Sequence, residues 1–405
     1  MMSTEAPAPL SRRVRVGVVG LGAVAQAVHL PLLDRLPGEF EIAAIADLSR
    51  SLVDSIGDRY RVPASERYLG IDALLESRAI DALVILTSGS HGSATVAGLD
   101  RGLPVFVEKP LAFTLVEADA IAARLAPTGQ AGEAPDAGYG RGGRLPKLQV
   151  GYMKLHDPAV VRALEFGAEA NGLGPIRSIE VTVLHPTSEA QLLHARLLPP
   201  AGDIPADVIA GLEAEGVRLR SVALGPAAES LGRLYSQILL GSIVHDLAII
   251  RAFAGDPVGI DAVDVWPDGV WPPSVGVTGR LAGGGRLSIR WHFLPDYPAY
   301  REGVRIVRDG STIELEFPAP YLLHAPTALR ITEAEGGARR DVSVSSVDEA
   351  FENELLAFHA LVVDGTAPRS GLAEGRADIV TCQRIAARYA AQLGIEIGGE
   401  SASAG

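Results

Sequence analysis

The sequence predicts two domains: an N-terminal α/β domain with a doubly wound parallel sheet, and a C-terminal α+β domain with a large, mostly antiparallel open sheet. Three observations predict this. A β-branched strand near the N-terminus enters a glycine-rich turn, strand and helix patterns then alternate as far as residue 155, and from residue 176 strand-like segments follow one another with short turns. Alternating strands and helices are typical of parallel sheets, whereas successive strands are typical of antiparallel ones.

The alternating part of the chain provides the elements of the first domain. The expected strands are Arg13–Val19, Glu41–Ala46, Ala82–Leu86, Pro104–Val107 and Lys147–Tyr152, and the helices between them include Ser49–Tyr60, Ile71–Glu76, Ser93–Arg101 and Leu115–Leu125. Residues Pro127–Arg144 are rich in Gly, Ala and Pro, and they interrupt this pattern as a predicted surface loop.

The second domain is predicted from a run of strands and two closing helices. The expected strands are Ile176–Leu184, Gly259–Trp266, Gly276–Leu281, Gly285–Phe293, Gly303–Arg308, Thr312–Phe317 and Ala328–Thr332. We expect the helices Val347–Val363 and Leu372–Leu393 to pack on their sheet, while the insert Ser188–Arg233 has no clear pattern. The predicted boundaries are a disordered lead-in over residues 1–12, a first domain over 13–153 and a second over 154–398.

The glycine turn predicts a dinucleotide-binding Rossmann domain. Gly20 permits a tight turn, Gly22 lets the backbone approach a pyrophosphate, and Ala25 is small enough for close packing of helix on strand. The backbone N–H groups that follow, at Ala23 and Val24, lie at the positive end of the helix and would face the phosphates. A glycine-rich turn of an unrelated α/β protein is the competing interpretation.

The end of the second strand indicates which nucleotide binds. Asp47 follows the apolar segment Ile42–Ala46, where a carboxylate accepts hydrogen bonds from the adenosine ribose and repels a 2′-phosphate. This favours NAD as the cofactor. Arg50 lies close enough to weaken that preference, so NADP stays open.

The tripeptide Glu108-Lys109-Pro110 is the most informative motif of the chain. It follows the apolar strand Val105–Val107, and its proline ends the strand because it cannot donate a ladder hydrogen bond. Lys109 therefore projects from the carboxyl edge of the parallel sheet, at which such sheets bind ligands. We expect its ammonium group beside the nicotinamide. A solvated lysine at a strand end is the alternative.

The composition excludes several classes of protein. The formal net charge of −13 over 405 residues argues against binding to nucleic acid, which requires clustered Lys and Arg. Cys382 is the only cysteine, so neither an intrachain disulfide nor a Cys-based metal site is available. No histidine motif of a metal site is present, and we expect no metal. No apolar run approaches the ~20 residues that a membrane helix needs, and the N-terminus has no signal-peptide core. We therefore expect a cytoplasmic protein without a membrane segment.

Taken together, these motifs resemble the Gfo/Idh/MocA family of nicotinamide-dependent sugar and cyclitol oxidoreductases. The resemblance rests on five segments: Gly20–Ala25, Leu86–His91, Glu108–Pro110, Val150–Lys154 and Ser242–Asp246. It implies that Lys109 lies beside nicotinamide and substrate, and that His245 is the proton-transfer group. It also implies that Thr87 and His91 lie along the cofactor, although the family's proline and asparagine between them are missing here.

One departure from the family pattern lies next to His245. Family members often read D-x-G-x-H-x-x-D, but here Gly241, Ile243 and Ala248 occupy the other three positions. Asp246 is one residue beyond the histidine, and successive helical residues point about 100° apart. We carry Asp246 forward as a substrate contact, with the usual carboxylate clamp in doubt.

The chemistry of alcohol oxidation gives both residues a role. The cofactor takes a hydride, while protein groups orient the alcohol and receive its proton. A histidine such as His245 suits the proton transfer, and Lys109 would stabilise the developing alkoxide. Tyr152 and Lys154 follow the last strand of the first domain and are expected to contact substrate, with ordinary surface or hinge residues as the alternative.

The predicted function is therefore oxidation of a ring secondary alcohol in a sugar, sugar derivative or cyclitol. An enzyme that keeps NAD bound and uses transient oxidation for elimination, epimerisation or glycoside cleavage remains an alternative, as does a non-catalytic nucleotide- and sugar-binding regulator. The predicted open sheet would need covering, so we expect a homodimer or homotetramer. The sequence does not name the sugar or the direction of reaction.

Overall fold

The computed structural model describes residues 12–126, 147–169, 174–199 and 202–403. The predicted lead-in, apart from Arg12, and the predicted loop Pro127–Arg144 lie outside the described residues.

The first domain is built on a six-stranded parallel sheet of order β3-β2-β1-β4-β5-β6. Its strands are β1 (Val14–Val19), β2 (Phe40–Asp47), β3 (Arg67–Leu69), β4 (Ala82–Ile85), β5 (Val105–Glu108) and β6 (Leu148–Gly151). Its helices are α1 (Leu30–Arg35), which continues a π-helical turn at Ala25–His29, α2 (Arg50–Arg59), α3 (Ile71–Leu75), α4 (Gly92–Asp100) and α5 (Leu115–Leu125). Successive strands are added on one side of β1 as far as β3 and on the other side from β4 onward, so the strand order reverses between β1 and β4. In such sheets the ligand crevice lies at the carboxyl ends of the strands at this point.

The second domain carries an eight-stranded sheet of order β14-β13-β12-β11-β7-β10-β9-β8. Its strands are β7 (Ile176–His185), β8 (Gly259–Trp266), β9 (Ser274–Arg280), β10 (Arg286–Phe293), β11 (Arg301–Arg308), β12 (Ser311–Phe317), β13 (Ala328–Glu335) and β14 (Ala338–Val344). Only the pairing of β7 with β10 is parallel, so the predicted two-domain fold with a mostly antiparallel second sheet is confirmed.

Helices precede, separate and follow the strands of the second sheet. They are α6 (Pro158–Glu169), α7 (Ser188–Leu192), α8 (Ala206–Leu224), α9 (Ala228–Arg233), α10 (Val244–Ala254), α11 (Ala350–Asp364) and α12 (Leu372–Leu393), and a π-helix, Leu234–Ile243, leads into α10. Short 3₁₀ turns occur at Ala64–Glu66, Met153–His156, Leu193–Ala195, Gly225–Ala227 and Gly399–Ser403.

Sequence patterns missed two strands and the helices of the insert. The strand β3 has only three residues, and the charged residues 339–341 interrupt the apolar pattern of β14. The described part of the insert is mostly helical. By length and composition alone, Ala206–Ala254 contains a helical run apolar enough to cross a membrane, contrary to the sequence expectation. Of its 18-residue apolar window, 56% is buried inside the protein, as in a core helix.

The position of α11 also differs from the expectation that both closing helices pack on the second sheet. Phe351, Leu355 and Phe358 of α11 belong to the apolar core of the first domain, together with β1 and Phe106 of β5. The rings of Phe106 and Phe358 meet edge to face at 5.7 Å between centroids. Because α11 buries its apolar face there, the chain returns to the first domain after completing the second sheet.

Replacing Phe358 by alanine should therefore destabilise the first domain. Phe358 is fully buried, and such a truncation typically costs about 3–5 kcal/mol. Leu356→Ala, on the exposed side of the same helix, should change the free energy of unfolding by less than about 1 kcal/mol. Urea unfolding followed by circular dichroism measures both, and equal effects of the two substitutions would contradict the described packing of α11.

Candidate functional site

Two cavities meet in the crevice between the domains. One is lined by the glycine-turn helix at Val24, by residues 87–89 and by His91. The other is lined by the second sheet and by α7. Lys109 and His245 line both cavities, so the two residues singled out from the sequence lie where the compartments join.

The glycine turn has the geometry that a pyrophosphate requires. Gly20 has φ +89°, and a Cβ there would lie 2.6 Å from the backbone nitrogen of Thr87. A Cβ on Gly22 would meet no atom within 4 Å, so open space lies against that backbone. The turn is held to the second strand because the Gly20 N–H donates to the carbonyl of Ala46 at 2.9 Å. The residues therefore fit a dinucleotide.

Asp47 lies at the end of β2 beside this turn. Its carboxylate accepts a hydrogen bond from the backbone N–H of Leu21 at 2.8 Å and another from that of Ser49 at 3.0 Å. Arg50 points along α2, where its guanidinium lies 3.8 Å from the Asp54 carboxylate. Both carboxylate oxygens of Asp47 thus accept backbone hydrogen bonds, whereas Arg50 lies on the flank of the helix.

The segment from Thr87 to His91 lines the first cavity. His91 is buried, with Nδ1 at 2.6 Å from the carbonyl of Pro110 and Nε2 at 2.7 Å from that of Thr87. Both ring nitrogens are therefore used to join this segment to the Glu108-Lys109-Pro110 turn. His91 positions the wall of the cavity, while Thr87 is exposed to it.

Lys109 reaches from the end of β5 across to the second domain. Its Nζ donates to the carbonyl of Gly241 at 2.6 Å. Burial lowers the pKa of Lys109; the carboxylate of Glu108 opposes this, and the charge of Lys154 adds to the lowering. An ammonium group with a lowered pKa in this position can both stabilise an oxyanion and exchange a proton.

Glu108 is held behind the lysine by a buried histidine. The His29 Nε2 lies 2.7 Å from the Glu108 Oε1, and the Lys109 backbone N–H donates to the Glu108 Oε2 at 3.1 Å. Burial would raise the pKa of Glu108, but the His29 hydrogen bond and the neighbouring positive charges hold it below its usual value. Glu108 therefore remains a carboxylate that orients the lysine backbone.

His245 lies at the start of α10, directly after the π-helix. Its pKa is well below the ordinary value because the ring is buried and because Lys109 and Lys154 are positively charged. Within the described residues, the buried Nδ1 has no hydrogen-bond partner. One turn before His245 lies Gly241, whose carbonyl accepts the hydrogen bond from Lys109. The ring is therefore neutral and suited to accept a proton.

The floor of the second cavity contains a buried ion pair. The Lys154 Nζ lies 2.6 Å from the Glu302 Oε1, and the Tyr300 hydroxyl donates to the other Glu302 oxygen at 2.6 Å. Asp157 accepts from the Thr327 hydroxyl at 2.6 Å, and both residues line the same cavity. Lys154 was expected here, whereas Glu302 and Thr327 were missed. Glu302 follows the inward-facing alternation of β11, which is the sequence signal that would have found it.

Two expected substrate contacts lie elsewhere. Tyr152 is buried in the core of the second domain, and its hydroxyl donates to Asp378. Asp246 is buried behind the wall of the second cavity, where burial and the neighbouring Glu302 raise its pKa well above the usual value. Neither side chain lines a cavity, because each points from its backbone into the packed interior. The described residues contain no cluster of three or more metal-ligating side chains.

A family profile described as "oxidoreductase family, NAD-binding Rossmann fold" matches residues 14–131. This part of the chain thus matches the NAD-binding domain of the Gfo/Idh/MocA oxidoreductase family. The first domain is accordingly a nicotinamide-dinucleotide-binding domain.

Curated relatives match over part of their length. Inositol 2-dehydrogenase of Paracoccus denitrificans is 29% identical over 160 residues, which is 39% of this chain and 43% of the relative. The scyllo-inositol 2-dehydrogenase (NAD⁺) of Bacillus subtilis is 26% identical over 162 residues, which is 38% of this chain and 40% of the relative. The chain thus spans less than half the length of these curated relatives.

Solved structures resemble the whole fold. Aldose-aldose oxidoreductase from Caulobacter crescentus has a TM-score of 0.68 at 16% identity, covering 95% of this chain and 98% of that one. UDP-N-acetylglucosamine 3-dehydrogenase from Acidithiobacillus ferrooxidans has a TM-score of 0.64 at 18% identity, covering 94% and 98%. At these identities the likeness establishes the arrangement of the two domains.

The two turn glycines should respond differently to alanine. Gly22→Ala should leave the thermal midpoint unchanged, because the methyl group meets no protein atom within 4 Å, but should weaken NAD binding at least about tenfold by filling the space for the pyrophosphate. Gly20→Ala should destabilise the fold, because its φ of +89° and the Thr87 backbone exclude a side chain.

Thermal unfolding and calorimetric titration with NAD measure these effects. Gly211→Ala on the exposed face of α8, where a Cβ also meets nothing within 4 Å, is the matched control. It should leave NAD affinity unchanged and raise the thermal midpoint slightly, because alanine favours a helix interior more than glycine does. If Gly22→Ala bound NAD as tightly as wild type, the pyrophosphate would not bind at this turn.

Proposed function

We propose that this protein is an NAD(P)-dependent dehydrogenase acting on a ring secondary alcohol of a sugar, sugar derivative or cyclitol. The observation that carries the proposal is the position of Lys109 and His245, which line both the dinucleotide cavity and the adjoining cavity. A reaction between two ligands needs its catalytic groups at the junction of their sites. The match of residues 14–131 to an NAD-binding oxidoreductase family supports the same reaction class.

The two residues divide the proton chemistry of oxidation. When bound, the nicotinamide accepts a hydride from the alcohol carbon. His245 is neutral because its pKa is lowered, and it takes the proton from the alcohol oxygen. Lys109 donates a hydrogen bond to that oxygen and stabilises the alkoxide character that develops on it. In the reductive direction, the histidinium returns the proton.

The charges of the second cavity favour a neutral polyol. The Lys154 ammonium is paired with the Glu302 carboxylate at 2.6 Å, so the floor offers hydrogen-bond partners with little net charge. Among the described residues, the lining includes no arginine that would hold a diphosphate or a sugar acid in a fork geometry. Carboxylates, hydroxyls and amides such as Asp157, Thr327 and Gln191 suit the hydroxyl groups of a sugar or cyclitol ring.

We further propose a cytoplasmic homo-oligomer. The open face of the second sheet carries paired charges, for example Arg305 with Glu314 at 3.5 Å and Arg301 with Glu316 at 3.0 Å. An interface on this face would therefore be polar and sensitive to salt. Light scattering after size exclusion, at low and high salt, distinguishes a dimer or tetramer from a monomer.

Transient oxidation with a retained cofactor is the second candidate. The described insert contacts the glycine-turn helix, where the Leu198 backbone N–H donates to the Gln26 side-chain oxygen at 2.8 Å. This contact favours slow exchange of a bound dinucleotide. Reduction of bound cofactor without release of NADH would identify this candidate, and binding without reduction by any substrate would favour a non-catalytic regulator.

Alanine at either proposed catalytic position should abolish most turnover. We expect His245→Ala and Lys109→Ala each to lower kcat by about 10²–10⁴-fold, because each removes a proton acceptor or an oxyanion donor. Absorbance at 340 nm with NAD or NADP, over a panel of sugars and inositols, measures turnover. His292→Ala, on the open face of β10, should retain full activity. Full turnover in both site variants would contradict the proposed roles.

The pH dependence of oxidation should reflect the lowered pKa of His245. A lowered pKa keeps the ring deprotonated below its usual range, so kcat/KM should stay level down to pH 6.5 and fall only at lower pH. A descending limb centred at pH 6.5 or above would assign the proton acceptance to a different group. The measurement is a pH–rate profile in buffers of constant ionic strength.

A further inference from the structure

The insert delivers a carboxylate to the first turn of α2, next to the end of the second strand. Asp203 lies just before α8, and its Oδ2 accepts a hydrogen bond from the backbone N–H of Ser51 at 2.8 Å. Ser51 is in the first turn of α2, the helix that follows the strand ending in Asp47. The segment that showed no pattern in the sequence therefore contacts the first domain 152 residues away.

Two carboxylates then occupy the same helix end. Asp47 accepts from the Ser49 N–H at 3.0 Å, and Asp203 accepts from the Ser51 N–H, with the hydroxyls of the two serines 3.1 Å apart between them. The hydrogen bonds from Ser49 and Ser51 hold the pKa of Asp203 below its usual value, so it is ionised at neutral pH.

The position of Asp203 matters because NAD and NADP differ at the adenosine ribose. In a Rossmann domain the residues after the second strand face the adenosine ribose, where NADP carries a 2′-phosphate and NAD a hydroxyl. A phosphate there would use free helix N–H groups and a nearby arginine. Here the Ser51 N–H already donates its hydrogen bond to Asp203. Arg50 lies near Asp54 and the carbonyl of Arg67.

Further contacts hold the insert against this part of the first domain. The Leu198 N–H donates to the Gln26 Oε1 at 2.8 Å, and the Gln26 Nε2 donates to the carbonyl of Leu21 at 2.9 Å. Leu198 also packs against the apolar core of the first domain. Asp203 is therefore placed by a docked segment, although its own carboxylate is exposed to solvent.

We propose that Asp203 is a second cofactor-selecting residue, which acts with Asp47 to favour NAD over NADP by repelling the 2′-phosphate and occupying the N–H group that would bind it. This proposal rests on the proposed function, because it assigns the choice of cofactor in the same site. The selecting group comes from the second domain, so the insert contributes to cofactor choice as well as to the substrate cavity, where Gln191 lies.

Calorimetric titration with NAD and NADP tests the proposal without relying on turnover. In Asp203→Asn and Asp203→Ala, the ratio of the NADP to the NAD dissociation constant should fall by about tenfold at low salt, which is about 1.4 kcal/mol. The effect should shrink at high salt, because charges exposed to solvent are screened. Asp47→Asn is the positive control and should shift the ratio in the same direction.

The matched control is Asp207→Asn, which removes the same charge from an exposed position four residues along the insert. It should leave the ratio unchanged. Adenosine 2′,5′-bisphosphate and AMP, titrated into the same variants, should reproduce the shift, because the two ligands differ by the 2′-phosphate alone.

An unchanged ratio in both Asp203 variants, with wild type still preferring NAD, would overturn the assignment and leave the proposed dehydrogenase standing. A wild-type protein that binds NADP as tightly as NAD would also overturn it. Failure of wild type to bind either dinucleotide would overturn the proposed function together with this proposal.

Discussion

The hydrogen bond from Lys109 to the carbonyl of Gly241 is the interaction on which the site depends. It joins the carboxyl end of β5 to the π-helix of the second domain, with Nζ and the carbonyl oxygen 2.6 Å apart. Π-helical turns leave backbone groups with altered partners and are frequent at functional sites. The Trp291 indole N–H donates to the Ser242 hydroxyl at 2.9 Å, so the second sheet holds the other side of the same turn.

This arrangement explains how the site works without the carboxylate that family members often carry. At that position the chain has Gly241, which offers a carbonyl in place of a charged group. His245 then lies among positive charges, since both Lys109 and Lys154 lower its pKa. The histidine is thereby kept neutral. A negative charge lies instead at the cavity floor, where Glu302 pairs with Lys154.

The insert adds a second connection between the domains. Leu198 contacts the glycine-turn helix, and Asp203 contacts the first turn of α2. Gln191 of the same insert lines the adjoining cavity. Long insertions are tolerated in surface loops, and functional residues are concentrated in such segments. In this chain the insert both contacts the first domain and lines the adjoining cavity.

The sequence by itself determined the features that follow local rules. The glycine turn, Asp47, and the strand ended by Pro110 predicted the Rossmann domain and the position of Lys109, because backbone conformation and strand order impose them. Only the tertiary structure decided which distant groups meet: Asp203 with Ser51, Glu302 with Lys154, and α11 with the first domain. Those contacts join residues more than 140 positions apart, and no local periodicity encodes such a pairing.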